Sequence, residues 1–280
     1  MRISVIHSTT YRYDRPVFQE PHTFRLRPRH DAAQRLLKFA LDISPAPAGK
    51  SECLDQDGNV VLEAWFESML EEMTVRSSFE IETLRENPFD FMLPREMSGL
   101  PLSYRPPLRD AVMPYLVSGS ESEEVRVMAR SVADKADGST MAFLTGLSRY
   151  LFEHFEHTLR DHGPPLEPAV TLRERAGTCR DLAILFCAAC RIMGIPARFV
   201  SGYEREAAFQ EPAQMHAWAE VYLAGGGWRG YDPAVGLAVG TSHVAVAAAA
   251  DPRLAAPISG AYRGSADSHM DYQIALQVSG

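Results

Sequence analysis

Long apolar segments are missing from this sequence. The longest uninterrupted apolar run, from Leu182 to Cys190, is far shorter than the ~20 residues that a membrane-spanning helix needs. The N-terminal residues contain no apolar core of a secretory signal. Cysteine is also scarce, at four residues in 280, and in a chain without such a signal these are typical of reduced thiols. We therefore expect a cytoplasmic protein with no membrane partner.

Positive charge is in short supply as well. The 28 lysines and arginines are outnumbered by 36 acidic residues, which gives a net charge of −8 and no electrostatic footprint for nucleic acid. The small basic cluster at residues 25–30 alternates along a predicted strand, which indicates a solvated strand face. The sequence has no D-x-D-x-D-G calcium loop. We expect no nucleic-acid partner, no cofactor and no metal.

The rest of the composition is that of an ordinary globular protein, with 46% apolar and 23% charged residues. Residues 1–100 are rich in β-branched and aromatic residues and contain a hairpin turn at Asp57-Gly58-Asn59. Prolines then crowd together, which marks a surface connector over about 87–119. We predict a small antiparallel β domain over 1–100, a mixed helical and strand region over 101–280, and a final strand at 272–278 that packs back.

The most informative stretch is the start of a predicted helix at Cys179. Gly177 permits a tight turn, Thr178 is a good N-cap, and Asp181 completes a capping box. A thiol in the first helical turn faces unpaired backbone N–H groups and the positive end of the helix dipole, which lower its pKa. The same N–H groups can bind an oxyanion on an attacked carbonyl. This position therefore suits a nucleophile.

The helix behind Cys179 is apolar nearly all round, which is typical of a central, buried helix. Gly194 is a C′ residue that ends it, and Pro196 prevents it from restarting. The following residues, Ala197 to Tyr203, are predicted to form a strand.

Other histidines and cysteines offer weaker candidates for metal binding. Cys187 and Cys190 form a C-x-x-C motif, but it lies inside the predicted helix without a second pair nearby, so core packing is favoured. His154, His157 and His162 lie near the end of an earlier helix and in its loop. Such positions are usually exposed or interact with the helix dipole, which favours a non-metal role for all three.

A second informative stretch is a predicted hairpin that carries His216 and Asp232. Residues 215–223 alternate with a period of two, residues 224–226 form a turn, and residues 228–233 return as the next strand. A three-residue loop pairs Leu223 with Gly227 and makes Asp232 the diagonal neighbour of His216 on the same face. A two- or four-residue loop turns Asp232 to the other face.

Cys179, His216 and Asp232 together have the order of nucleophile, base and orienting carboxylate. In this interpretation Cys179 attacks a carbonyl, His216 stabilises the thiolate and protonates the leaving amine, and Asp232 fixes the imidazole tautomer. Each residue alone is better explained as a core cysteine, a strand histidine or a turn aspartate. Their joint context favours the catalytic interpretation.

Four segments together resemble the bacterial transglutaminase-like family of the papain-like cysteine-enzyme superfamily. They are Gly177-Thr178-Cys179-Arg180-Asp181-Leu182-Ala183, the residues 194–203 (GIPARFVSGY), 215–223 (MHAWAEVYL) and 227–233 (GWRGYDP). The early strand region, with residues 7–13 (HSTTYRY) and 26–29 (LRPR), and the tail from Ser242 are also similar to the family. The resemblance implies an α+β papain-like core, in which the nucleophile helix packs on an antiparallel sheet, after a small β domain. It also implies a Cys179, His216 and Asp232 triad, with Trp218 and Arg180 as candidate substrate-binding residues.

Three functions remain open from the sequence. The first is a cysteine-dependent hydrolase or acyltransferase that acts on peptide or side-chain amides through a thioester, with hydrolysis favoured because nothing marks a means of excluding water. The second is a non-catalytic binding module on the same fold. The third, which is disfavoured, is a metal-dependent enzyme with Cys179, His216 and Asp232 as ligands.

Overall fold

The structure is a computed structural model, and it describes residues 1–117, 122–160, 163–207 and 213–279. The end of the predicted connector, residues 118–119, and His162 lie outside these ranges. No helix in these ranges is both long and apolar enough to cross a membrane.

The N-terminal region consists of strands that form parts of two antiparallel sheets. Long strands in it alternate buried and exposed residues, so each sheet has one face on the core. The strands are β1 (Arg2–Gln19), β2 (His22–Phe24), β3 (Gln34–Ser44), β4 (Gly49–Leu54), β5 (Val60–Trp65) and β6 (Met69–Thr83).

The first helix lies within the predicted proline-rich connector, and the others follow it. Ser122 and Ser139 accept backbone N–H groups at the starts of the second and third helices. The helices are α1 (Leu108–Val112), α2 (Glu123–Lys135), α3 (Thr140–His154), α4 (Pro168–Glu174) and α5 (Cys179–Ile192). A parallel pair of two-residue strands, β7 (Glu156–His157) and β8 (Ala176–Gly177), links the end of α3 to the start of α5.

A third antiparallel sheet, in the order β12-β11-β10-β9-β13, packs against α5. Its strands are β9 (Ala197–Glu204), β10 (His216–Leu223), β11 (Gly227–Asp232), β12 (Leu237–Ala238) and β13 (His243–Ala249). Nine of the residues of α5 from Asp181 to Cys190 are buried, and Gly194 has a φ of 72° just beyond its end. The predicted α+β core, a nucleophile helix on an antiparallel sheet, is thereby confirmed.

The last part of the chain returns to the N-terminal strands. It forms a short 3₁₀ helix at Pro252–Ala255 and the strands β14 (Ile258–Ser259), β15 (Tyr262–Arg263) and β16 (Ser268–Ser279). β16 pairs with β1 over its whole length, from Arg2 opposite Ser279 to Tyr13 opposite Ser268. The predicted strand at 272–278 lies within β16, which is part of the N-terminal sheet rather than of the sheet beside α5.

A shared hydrophobic cluster joins the N-terminal sheet to the sheet beside α5. Ile3 and Phe79 from the first pack with Tyr203 and Val244 from the second, and all four are buried. Burial of these side chains contributes roughly 1.5–3 kcal/mol each. This packing holds the β region in place against the core.

Candidate active site

Cys179 is the first residue of α5, and its position is determined by the capping box predicted from the sequence. The Thr178 N–H donates to Asp181 Oδ2 over 2.8 Å, and the Thr178 hydroxyl donates to the same oxygen over 2.9 Å. Asp181 is only 1% exposed. Its other oxygen accepts from Arg160 and from the Leu166 N–H, both at 2.7 Å. The Asp181 carboxylate therefore fixes the start of α5 and also holds Arg160 and Leu166 next to it.

His216 and Asp232 meet because the β10–β11 hairpin has the three-residue loop considered in the sequence. Leu223 opposes Gly227, and the same register brings Asp232 level with Trp218. His216 Nε2 donates to Asp232 Oδ2 over 2.6 Å. The other nitrogen of the ring, Nδ1, is left for Cys179, and the interaction with this thiol helps to raise the pKa of His216. The structure thus brings the three predicted catalytic residues together.

The charges at this site stabilise one another. Burial alone raises the pKa of Asp232, but the positive charge of His216 and hydrogen bonds from His216 and His243 lower it well below its usual range. Burial lowers the pKa of His216, and the Asp232 charge together with hydrogen bonding raises it well above 6.5. Burial raises the pKa of the Cys179 thiol, whereas hydrogen bonds from His157 and His216 and the His216 charge lower it to about 6. A thiolate–imidazolium pair is thereby favoured at neutral pH.

His157 is a site residue that the sequence interpretation missed. It is in β7, and because β7 pairs in parallel with β8 directly before Cys179, its imidazole reaches the thiol. The Thr158 N–H also donates to the Gly177 carbonyl over 2.9 Å. A pairing of two residues leaves no periodic signal in a sequence, so only the fold reveals this contact. His157 lines the cleft beside Cys179, whereas the Nδ1 of His154 lies 3.0 Å from the carbonyl oxygen of Tyr150 on its own helix.

His243 is a second residue that the sequence interpretation missed. Its Nε2 lies 3.0 Å from Asp232 Oδ2, and its Nδ1 lies 2.9 Å from the Ser242 hydroxyl. His243 begins β13, His216 begins β10 and Asp232 ends β11. β10 and β13 lie on either side of β9 and are both antiparallel to it, and β11 is antiparallel to β10. The starts of β10 and β13 and the end of β11 therefore lie at the same end of the sheet. Asp232 therefore accepts hydrogen bonds from two imidazoles.

The side chains of His216, Asp232 and His243 also form a group with metal-binding atoms. Their ligand atoms lie within 4.8 Å of one another, and Cys179 is not a member. In a tetrahedral zinc site with bonds of about 2.0–2.1 Å, ligand atoms are roughly 3.3 Å apart. The 2.6 Å between His216 Nε2 and Asp232 Oδ2 is shorter and fits a shared proton. The geometry favours hydrogen bonding over metal binding.

The second imidazole on Asp232 leads to a prediction about stability. His243→Phe removes a buried donor from the carboxylate, and we expect the free energy of unfolding to fall by about 1–3 kcal/mol in urea titrations at pH 7. The matched control is His269→Phe, since His269 also bonds an aspartate, Asp271, but its side chain is 74% exposed. Equal losses of stability in the two variants would contradict the prediction.

A cleft of about 570 Å³ opens beside Cys179, between the core and the N-terminal region. His7, Thr9 and Tyr11 of β1 line one wall together with Met270 and Tyr272 of β16. Residues 157–160, residues 163–165 and the 3₁₀ helix after β13 also line the cleft. The β region therefore forms part of the cleft beside Cys179.

The two candidate substrate-binding residues have different positions. Arg180 lines the cleft. Trp218 does not line it: the indole is 1% exposed and packs behind the triad, 6.3 Å from the His216 ring and 5.1 Å from the His243 ring between centroids. The structure therefore corrects the substrate-binding role of Trp218, because its indole is buried against Val200 of β9 and Ala245 and Ala248 of β13 and leaves no surface for a ligand. Its contact with both histidines supports their ring orientations.

Cys187 and Cys190 have the packing role that the sequence favoured. Both lie on α5 with their side chains fully buried in the core, and all four cysteines of the chain are free thiols. Burial raises the pKa of Cys187 to about 11 and that of Cys190 well above its usual value. The thiol with a lowered pKa is Cys179.

Comparisons with known proteins agree with this architecture. Residues 3–82 match the family described as the bacterial transglutaminase-like N-terminal region, and residues 126–233 match the transglutaminase-like superfamily. An uncharacterized protein of Mycobacterium leprae (strain TN) is 25% identical over 98% of this chain and 98% of its own length. An uncharacterized protein of Mycobacterium tuberculosis (strain ATCC 25618 / H37Rv) is 27% identical over 98% of this chain and 91% of its own.

A solved structure shares the fold over the whole chain. It is described as a "Putative Cysteine Protease" from Cytophaga hutchinsonii, has a TM-score of 0.73 and 22% identity, and the match covers 100% of this chain and 92% of that one. This likeness shows the shared fold, and the two family matches identify a bacterial transglutaminase-like N-terminal region followed by a transglutaminase-like core in this chain.

Proposed function

We propose that the chain is a cysteine-dependent hydrolase or acyltransferase that acts on amide bonds of peptides or proteins. The observation that carries the proposal is the Cys179–His216–Asp232 arrangement, in which a buried carboxylate 2.6 Å from His216 Nε2 directs the other ring nitrogen at a thiol on a helix N-terminus. The superfamily match supports the same class of chemistry.

In the acylation half of the proposed reaction, the Cys179 thiolate attacks the amide carbonyl and a C–S bond forms. The oxyanion of the tetrahedral intermediate accepts the Cys179 backbone N–H. The C–N bond then breaks as the His216 imidazolium gives its proton to the leaving amine. Asp232 stays ionised and stabilises the imidazolium, so charge moves over a short distance inside a buried site.

In the deacylation half, His216 takes a proton from the acceptor, which attacks the thioester carbonyl. The C–S bond breaks, and the thiolate and imidazolium are restored. Water gives hydrolysis and an amine gives transamidation. We favour hydrolysis, because the sequence contains no motif for excluding water, and we place the enzyme in the cytoplasm on account of its free thiols.

The proposal is tested by the pH dependence of iodoacetamide labelling at each cysteine, followed by mass spectrometry. We expect half-maximal labelling of Cys179 near pH 6, because its thiol pKa is lowered to about 6 and only the thiolate reacts. The rate should fall as the pH drops below this value and the thiolate is protonated. His216→Ala removes the imidazolium charge, and the midpoint should rise towards the ~8.5 of an ordinary thiol or beyond.

Three other cysteines are internal references for this experiment. Cys53 is exposed, whereas Cys187 and Cys190 are buried and should not be labelled while the protein is folded. A Cys179 profile identical in the wild type and in His216→Ala, with a midpoint near 8.5, would reject the proposed ion pair and favour a non-catalytic binding module on this fold.

A further inference from the structure

The charges on the walls of the cleft are all of one sign among the residues that the structure describes. Arg160, Arg180 and Arg253 line it, and no aspartate or glutamate from the described ranges does. The chain as a whole has 36 acidic and 28 basic residues. The cleft beside Cys179 is therefore a basic surface on an acidic protein, a distribution that attracts anions towards the thiol.

Two of these arginines are neutralised by carboxylates behind or beside the wall. Arg160 donates to the buried Asp181 over 2.7 Å. Arg253 donates from Nε to Asp251 over 3.0 Å. The two carboxylates largely neutralise these guanidinium charges, so neither arginine presents a full positive charge to the cleft.

Arg180 differs from both because its recorded partners are uncharged. Its guanidinium donates to the carbonyl of Gly163 over 3.1 Å and to the carbonyl of Arg160. No carboxylate of residues 1–117, 122–160, 163–207 or 213–279 forms an ion pair with it. Carbonyl oxygens orient a guanidinium without cancelling its charge, and the fork keeps further N–H groups for a ligand. Arg180 therefore presents a fixed positive charge one residue after the nucleophile.

We propose that Arg180 forms an anion subsite and that the substrate is an acidic peptide with a carboxylate close to the amide that Cys179 attacks. This inference rests on the proposed function, and it adds the charge of the substrate. The carboxylate replaces water on the free N–H groups of Arg180, while apolar side chains of the cleft such as Met215, Ile258 and Met270 contact the rest of the peptide. A peptide with a lysine at the same place meets only positive charge.

The subsite is tested with two alkylating reagents of similar size, anionic iodoacetate and neutral iodoacetamide. The quantity measured is the rate constant for iodoacetate divided by the rate constant for iodoacetamide at Cys179. It is determined at pH 7.5 and low salt for each variant. Because a positive charge in the cleft that holds the thiol favours the approach of an anion, we expect Arg180→Gln to lower this ratio by roughly three- to tenfold. Raising the salt to ~0.5 M should lower the wild-type ratio in the same direction.

Two further variants separate charge from structure. Arg180→Lys keeps the charge but loses the paired hydrogen bonds to the carbonyls of Arg160 and Gly163. It should retain most of the wild-type ratio. Arg149→Gln removes the same charge from an exposed position on α3 outside the cleft, where Arg149 pairs with Glu153, and should leave the ratio at the wild-type value. The ratio at Cys53 should be the same in all variants.

A Cys179 that reacts quickly with iodoacetamide but shows the same ratio in the wild type and in Arg180→Gln would overturn the anion subsite while leaving the proposed function intact. An equally lowered ratio in Arg180→Lys and Arg180→Gln would also overturn it. The effect would then come from the lost hydrogen bonds to Arg160 and Gly163 and not from the lost charge. A Cys179 without raised reactivity towards either reagent would overturn both the subsite and the proposed function.

Discussion

Asp232→Asn is expected to lower the rate of Cys179 acylation by about 10³–10⁴-fold, a loss of the size seen when a triad carboxylate is replaced by an amide. The physical reason lies in the number of donors around this carboxylate. Oδ2 accepts from His216 and His243, and Oδ1 accepts from the Ala234 N–H over 2.9 Å. An asparagine has a single acceptor oxygen, so its NH₂ group must face at least one of these donors. Either orientation breaks the arrangement.

The same substitution should change the pH profile in a defined direction. Without the Asp232 charge, burial is the largest effect left on His216, and it lowers the pKa of the imidazole. The imidazole is then neutral at pH 7, the thiolate loses its partner, and the pKa of Cys179 rises. We therefore expect the acid limb near pH 6 to move to higher pH.

The measurement is the burst of p-nitrophenol during acylation by p-nitrophenyl acetate, followed from pH 5 to 9. Asp110→Asn is the matched control, because Asp110 is an exposed residue of α1 that pairs with Arg109. A burst rate in Asp232→Asn within tenfold of the control would show that the carboxylate is not part of the reacting system.

Phe186→Ala is expected to produce the largest loss of stability. The Phe186 side chain is fully buried in the middle of α5 and stacks on Tyr231, 5.7 Å away between ring centroids. Truncation removes its transfer free energy and leaves a cavity, which together cost about 3–5 kcal/mol. For a chain of this size, the melting temperature should fall by roughly 10 °C.

Differential scanning calorimetry compares this variant with Phe152→Ala, in which the same side chain is lost from a position that is 53% exposed. We expect the control to melt within ~2 °C of the wild type, since surface substitutions rarely exceed ~0.5 kcal/mol. Equal melting temperatures of the two variants would mean that α5 does not depend on Phe186 for its packing.

The parts of the site that the sequence predicted depend on short-range rules. The capping box at Thr178 and Asp181 follows from residues three apart, and the register that joins His216 to Asp232 follows from the length of one turn. Helix burial and the stop at Gly194 follow from periodicity and backbone preference. Such features are written in consecutive residues.

The parts that the sequence interpretation missed depend on contacts between distant segments. His157 reaches the thiol through a two-residue parallel pairing, and His243 reaches Asp232 because three strand ends converge. Trp218 alternates with His216, yet its indole is buried against side chains of β9 and β13. The cleft wall on β1 likewise follows from docking of the N-terminal sheet, which no local pattern encodes.

The pairing of β1 with β16 has a consequence for the order in which the protein matures during synthesis. In the cleft wall, Tyr11 lies opposite Met270 and Thr9 lies opposite Tyr272, so paired residues of one wall are synthesised far apart in time. Domains generally begin to fold while they are being synthesised. A nascent chain that has already folded α5 still lacks β16, and its thiol faces a half-built cleft. Synthesis must therefore reach β16 before the cleft beside Cys179 can be complete.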